Sequence, residues 1–366
     1  MQRMRIWRHF DVWLLAAVAM LTIAGIAMIR SAIAGNETLL DYPTRQSVYA
    51  LIGLTALLIL TAIDYRLWAA LARPIYLVVV GFLGLILISG IVGFGSARWF
   101  SIGVATVQPS EISKIGMILV LANFIAKYQD EINQPGIILR SLMLIGLPML
   151  LIFIQPDLST AIVLAVIWLA MVWAAGINIR YLATMAAFAI ATPFLAWPFM
   201  QDYQRGRVIT FLFPDPQSQY GDTYNVNQAK IAIGSGGLSG QGYGHGTQVQ
   251  LRFLKVRHTD FIFSAMAEEF GFIGAILLIA VLVFIVFRCL RAARNARDMY
   301  GSLICYGVAV VILFQSAFNI GMNLNLFPVS GLPIPFFSYG GSSLLSSLLG
   351  IGLVQSVILR QKKIEL

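Results

Sequence analysis

The feature that most constrains this chain is a recurring apolar run, each close to the roughly 20 residues that a helix needs to cross the hydrocarbon of a bilayer. Ten such runs are read, near 12–29, 47–63, 75–94, 109–126, 137–154, 158–175, 180–199, 261–287, 301–324 and 339–359. Composition agrees. The chain is 59% hydrophobic and only 11% charged, whereas soluble domains carry roughly 45–50% apolar and about 25% charged residues. Its 13 Pro and 32 Gly fit the same reading, because membrane helices tolerate both when neighbours satisfy the freed backbone groups. The expected fold is an all-α polytopic membrane protein of about ten transmembrane helices, forming a single domain over residues 1–366.

Orientation follows from the placement of Lys and Arg, which concentrate in cytoplasmic segments. With the N-terminus inside, the inner segments carry Arg3, Arg5 and Arg8, then Arg66 and Arg73, Lys127 and Arg140, Arg180, and Arg288, Arg291, Arg294 and Arg297. Arg360, Lys362 and Lys363 complete the set, so both termini are cytoplasmic. The short outer loops carry only Arg30, Arg45 and Arg98. The net charge of +9 is thus a topological bias and not the footprint of a nucleic-acid partner. One connection is long. Residues 200–260 form an extracytoplasmic, Gly-rich segment in which a single short amphipathic helix is expected. Loops of this length in compact proteins are usually functional.

Ionisable groups at membrane depth cost roughly 2.5–3.5 kcal/mol each on insertion scales, so those present carry information. Three groups stand at outer helix ends. In RWFSIGVATVQPSEISK (98–114), Pro109 suits a first helical turn, and Glu111 and Lys114 share one helix face. A structural ion pair and a cavity wall are both compatible with that pairing, and Arg98 beside Trp99 also fits an interfacial anchor. Gln155-Pro156-Asp157 repeats the Gln-Pro start, and its Asp fits a helix cap as well as a site. In RHTDFIFSAMAEEFGFIG (257–274), Thr259 or Asp260 could cap the helix. Against capping, a basic loop leads into Asp260 and Glu268 and Glu269 lie below it, a setting for a general base facing an anionic substrate. A fourth segment, 319–343, is broken by Pro328, Pro333 and Pro335 and offers Ser338 and Tyr339 as polar contacts. The run GSGGLSGQGYGHG (234–246) lacks the Gly-Lys-Ser/Thr of a phosphate-binding loop. Cys289 and Cys305 are expected as free thiols, and three histidines are too scattered for a metal cluster.

QPSEISK (108–114), QPDLST (155–160), KIAIGSGGLSGQGYGHGTQ (230–248), HTDFIF (258–263), AEEFGF (267–272) and PVSGLPIPFFSYGGSS (328–343) together resemble the signatures of the SEDS family of shape, elongation, division and sporulation proteins. The resemblance runs over essentially the whole chain. GTQVQLRFLK (246–255) and the short termini are more similar to the elongation branch than to the division branch. Lys255-Val256-Arg257 departs from the Pro-Glu type sequence of many relatives and leaves HTDFIF intact.

What the resemblance implies is a peptidoglycan glycosyltransferase that polymerises lipid II at the outer face of the bacterial cytoplasmic membrane, beside a class B penicillin-binding protein. It implies Asp260 as the catalytic residue and places Glu111, Lys114 and Asp157 in the site, with lipid II and a lipid-linked glycan strand as substrates. No nucleotide or organic cofactor is implied. A leaving pyrophosphate needs positive charge, for which Arg205, Arg207, Lys230 and Arg257 are candidates, alongside a divalent cation such as magnesium or manganese. The rival expectation is a lipid II flippase, for which ten spans serve equally well. It predicts polar residues continuing to the inner side, whereas those read here gather at the outer half.

Overall fold

The computed structural model describes residues 9–33, 35, 37–89, 91–93, 96–102, 105–185, 187, 197–214 and 221–361. Nine of the expected spans appear as helices: α1 (Val12–Ala32), α2 (Tyr42–Ala62), α3 (Ala72–Ser89), α4 (Pro109–Lys127), α5 (Pro135–Ile154), α6 (Leu158–Ala174), and, after two shorter outer helices, α9 (Ile262–Arg294), α10 (Met299–Asn323) and α11 (Gly341–Leu359). The seventh, 180–199, opens as helix over 179–185 and otherwise lies mainly outside the described residues. Among the described residues, seven helices are both long and apolar enough to cross a membrane, with Ala72–Ile88 and Leu158–Ala174 slightly shorter. Proline marks the starts of α4 and α5, at Pro109 and Pro135, where its missing N–H leaves no bond unmade. Cys289 and Cys305 are free and buried.

Two departures from the sequence-based expectation lie on the outer side. The third span ends at Ser89, and the chain enters an antiparallel meander of β1 (Ile91–Gly93), β2 (Ser96–Ile102) and β3 (Ala105–Val107). Gly90, Gly93, Gly95 and Gly103 interleaved with β-branched residues disfavour continued helix. The long outer segment is also more helical than the one short helix expected. It contains α7 (Asp202–Leu212), α8 (Gly221–Gly236) and a single turn over Thr247–Gln250.

At the centre stands α11, buried along almost its whole length from Ser342 to Leu359. Its small residues allow close helix approach, the usual basis of packing in lipid. A Cβ on Gly352 would lie 2.9 Å from the Leu57 carbonyl oxygen of α2, and one on Gly53 of α2 would lie 2.4 Å from the Leu348 side chain. The cytoplasmic helix ends are clasped by ion pairs. Asp11 pairs with Arg288, Asp64 with Arg360 at 3.3 Å, and Asp298 with Arg66 at 3.0 Å.

The glycine-rich run has a structural purpose. Helix α9 is broken at Gly271, whose φ of 65° and ψ of −163° are not helical. The Glu268 and Glu269 carbonyls accept bonds from Gln241 and Gly242 N–H at 3.0 and 2.9 Å, while Phe272 N–H donates to Gly237 O at 2.9 Å. The loop after α8 therefore satisfies the backbone groups that the break exposes, as burial away from water demands. Such backbone-to-backbone approach requires glycine: a Cβ on Gly240 (φ +82°) would sit 2.2 Å from the Glu269 carbonyl oxygen. Gly240→Ala is expected to destabilise the fold by roughly 3 kcal/mol or more, from overpacking and left-handed strain together. Gly234→Ala, exposed on α8 with open space around its Cβ position, should gain about 0.5–1 kcal/mol. Thermal unfolding of the two variants in detergent checks the contrast, and equal midpoints would contradict it.

Candidate active site

Asp260 lies in a series of turns that runs from Leu251 to the start of α9. Its backbone is held from α10, whose Asn319 and Asn323 amides donate to the Asp260 carbonyl at 3.2 and 3.0 Å. Asn323 Oδ1 in turn accepts from Ser264 N–H at 3.2 Å, tying the same asparagine to the first turn of α9. Helix α9 begins without a side-chain cap. The capping explanation for Asp260 and Thr259 is therefore not the one the fold uses. The carboxyl instead faces a cavity of about 400 Å³, shared with Glu111, Asp157, Arg207, Tyr339 and Ser343. Burial pushes the Asp260 carboxyl up to about 6, with Arg207 pulling in the opposite direction.

The far wall comes from the paired helix starts of α4 and α6. Lys114 Nζ donates to Glu111 Oε2 at 2.7 Å with only 1% of the lysine side chain exposed. Asp157 is a true cap, accepting from Thr160 N–H at 3.2 Å and its hydroxyl at 2.9 Å. Gln108 Nε2 at 3.1 Å and the Ser110 hydroxyl at 3.3 Å also reach Asp157. That carboxylate joins the two helices and has few lone pairs left for chemistry. Glu268 and Glu269 turn away from the cavity. Glu268 accepts from Gln248 N–H at 2.7 Å and Val249 N–H at 3.2 Å, capping the Thr247–Gln250 turn, and Glu269 accepts from the Ser31 hydroxyl.

The candidate cations separate clearly. Arg207, on α7, lines the cavity and lies 3.6 Å from Asp222 of α8. Lys230 is exposed in an adjoining cavity of about 220 Å³ that Arg207 also lines. Arg205 bonds the Trp197 and Pro198 carbonyls at 3.1 and 2.9 Å, and Arg257 is buried against the Ala32 carbonyl at the end of α1. Neither lines the Asp260 cavity. Ser338 is a turn residue, its hydroxyl accepting from Ile334 N–H at 2.9 Å. Arg98 falls on β2 with its side chain outside the described residues, while Trp99 beside it lines the cavity.

Several contributors escape a reading by motif. Tyr49 lines the cavity and accepts from Thr106 N–H at 3.1 Å. Buried Gln46 clamps the chain before α11 through Ser338 O at 3.2 Å and Gly340 N–H at 3.2 Å. Tyr42 stacks on Tyr339 at 4.2 Å, and His258 meets both rings edge-on. Burial, reinforced by Arg257, lowers the His258 imidazole to about 4, so it is neutral near pH 7 and adds no positive charge. The one usable signal was the spacing of Asn319 and Asn323, four apart and hence on one helix face.

A helical bundle in lipid, carrying an outward polar cavity with an elevated carboxyl and an arginine, defines an integral membrane enzyme acting at a membrane surface. The profile of the FtsW/RodA/SpoVE family, described as cell cycle proteins, matches residues 8–363. The chain belongs to this SEDS family of peptidoglycan glycosyltransferases. It is 35% identical over 98% of its length, and 95% of the relative's, to peptidoglycan glycosyltransferase MrdB of Escherichia coli K12. To the probable peptidoglycan glycosyltransferase FtsW of Trichlorobacter lovleyi it is 36% identical, covering 95% and 93%. Among solved structures, a chain described under polymerization and crosslinking by a peptidoglycan synthase complex superposes with a TM-score of 0.78 at 30% identity, covering 97% and 99%. The rod shape determining protein RodA of Thermus thermophilus superposes at 0.70 with 28% identity, covering 97% and 98%.

Proposed function

We propose that this glycosyltransferase joins lipid II disaccharide units into glycan strands at the outer face of the bacterial inner membrane during cell elongation, with Asp260 as general base. The observation that carries the reading is the cavity itself, where a partly buried carboxyl and Arg207 face one space at an outer helix end. Asp260 takes the proton from the acceptor 4-hydroxyl. That oxygen forms a bond to the anomeric carbon of the lipid-linked strand as the bond from that carbon to phosphate breaks. A single displacement inverts the anomeric centre, as conversion of an α-pyrophosphate to a β-1,4 link requires. The leaving polyprenyl pyrophosphate carries the developing charge, and a fixed cation beside it in a low-dielectric site is the effective form of stabilisation.

Arg207 fills that role better than the other candidates. It lines the main cavity, the adjoining one with Lys230, and a third of about 120 Å³ between α6, α7 and α10. This third space has Ile162, Val208, Phe314, Phe318 and Leu332 on its walls, a lining suited to a polyprenyl chain. Among the described residues no three His, Cys, Asp or Glu side chains converge on a metal position, and Asp157 and Glu111 are already engaged. The described residues therefore offer no built set of protein ligands for a divalent cation, and a magnesium or manganese ion would have to arrive with the pyrophosphate, where it would supply further positive charge. A class B penicillin-binding protein is the crosslinking partner in this reading.

The test is polymerisation of lipid II by the purified chain with and without that partner. Arg207→Gln is expected to lower the rate about 10²–10³-fold, the range for losing one charge-stabilising group, whereas Arg205→Gln stays within about threefold. Equal rates for the two variants, or no polymer from the complex, would sink the assignment.

A further inference from the structure

The cytoplasmic ends of α1, α9 and α11 enclose a separate cavity of about 310 Å³, lined by His9, Asp11, Trp13, Arg288, Arg291 and Asn295 among others. It lies at the opposite membrane face from Asp260 and takes no part in the reaction. Its walls are prebuilt. Asp11 N–H donates to Gln355 Oε1 at 3.1 Å, Gln355 Nε2 returns a bond to Asp11 O at 2.8 Å, and Arg288 Nε donates to Asp11 Oδ2 at 2.7 Å. Asp11 Oδ1 accepts from Leu14 N–H at 3.0 Å. The single carboxylate in the lining is thus fully engaged, and it neutralises Arg288 alone.

Arg291, one turn further along α9, is exposed, and no carboxylate among the described residues pairs with it. The cavity therefore keeps an excess positive charge, with the Asn295 amide as a neutral donor. Its rim is apolar on the side toward lipid. Trp13, in the lining, is 72% exposed, and Phe284 lies under the Arg288 guanidinium at 5.9 Å. Tryptophan and arginine both concentrate where cytoplasmic helix ends meet the membrane surface. Basic pockets between helices on the cytoplasmic side select anionic headgroups.

We propose that this cavity binds the phosphate headgroup of an anionic phospholipid of the inner leaflet, with Arg291 as its principal cation and the exposed Trp13 against the acyl chains. The lipid joins α1 to the end of α9, on the far side of the bundle from the catalytic cavity.

Native mass spectrometry of the full chain in detergent, offered phosphatidylglycerol or phosphatidylcholine at equal ratio, tests this. Retention of phosphatidylglycerol over phosphatidylcholine is expected. Arg291→Gln should weaken retention about fivefold, the effect of roughly one interfacial cation. Arg294→Gln, on the same helix end but outside the cavity lining, should retain lipid as the wild type does. Arg291 is exposed, so the variant should keep its helical circular dichroism and elution volume. Equal retention of the two lipids overturns the proposal, as does an unchanged Arg291→Gln. Equal losses in both arginine variants would mean a diffuse basic surface and also overturn it. Displacement of phosphatidylglycerol by millimolar inorganic phosphate would reassign the cavity to a soluble anion.

Discussion

Asp260→Asn is expected to lower lipid II polymerisation by about 10²–10⁴-fold, the range that a positioned general base contributes, while the protein keeps its fold. Stability should hold because the Asp260 carboxylate caps no helix, and the bonds from Asn319 and Asn323 go to its backbone carbonyl. The same carboxyl sets the pH profile. Burial raises it from 3.8 to about 6, and a base acts only when deprotonated. The rate should therefore be level above about pH 6 and fall tenfold per unit below it, whereas an ordinary carboxylate would hold the plateau to about pH 4. Product length and rate followed from pH 5 to 8, with unfolding midpoints as the control, measure both effects. Full polymer yield from Asp260→Asn would remove it from the mechanism, and a plateau reaching pH 4.5 would contradict the environment described for it.

The second large effect is on stability. Lys114→Met leaves the Glu111 carboxylate at the cavity wall without its 2.7 Å partner. Breaking a buried pair on one side costs about 3–5 kcal/mol, because the remaining charge is uncompensated, while removing both charges is often close to neutral. The double variant Glu111→Gln with Lys114→Met should therefore recover most of the lost unfolding midpoint. Polymerisation should stay depressed in the double variant, since Glu111 lines the cavity. A double variant as unstable as Lys114→Met would show that the lysine acts through packing of its methylene chain and not through its charge.

How far the site was legible varied residue by residue. Glu111 and Lys114 were readable as partners because three residues along a helix place two side chains on one face. Asp157 was readable as a cap because Gln-Pro-Asp puts a carboxylate in a first turn. Asp260 was readable as a general base at the outer mouth of its helix, but where Glu268 and Glu269 below it would point was not. Only the break at Gly271 and the glycine loop threaded through it turn the two glutamates toward the Thr247–Gln250 turn and Ser31, so that of these three carboxylates Asp260 is the one that lines the cavity. The four candidate cations were equally indistinguishable. Arg207 and Arg257 belong to the same outer segment, but the Arg257 guanidinium is spent on the Ala32 carbonyl while Arg207 lines the cavity.

The apolar runs, the charge bias and the costly polar residues at outer helix ends belong to the sequence by itself. Each is a local consequence of chain length, hydropathy and helical spacing, and a bilayer leaves the backbone few alternatives to helix. Which of those polar residues meet is a different kind of fact. Asp260, Arg207, Glu111 and Tyr339 come from four separate stretches of chain, brought together by the α2–α11 glycine contacts and the broken α9. That convergence depends on long-range packing, where displacement of one helix by a few ångströms would separate a base from its substrate, and only the tertiary structure decides it.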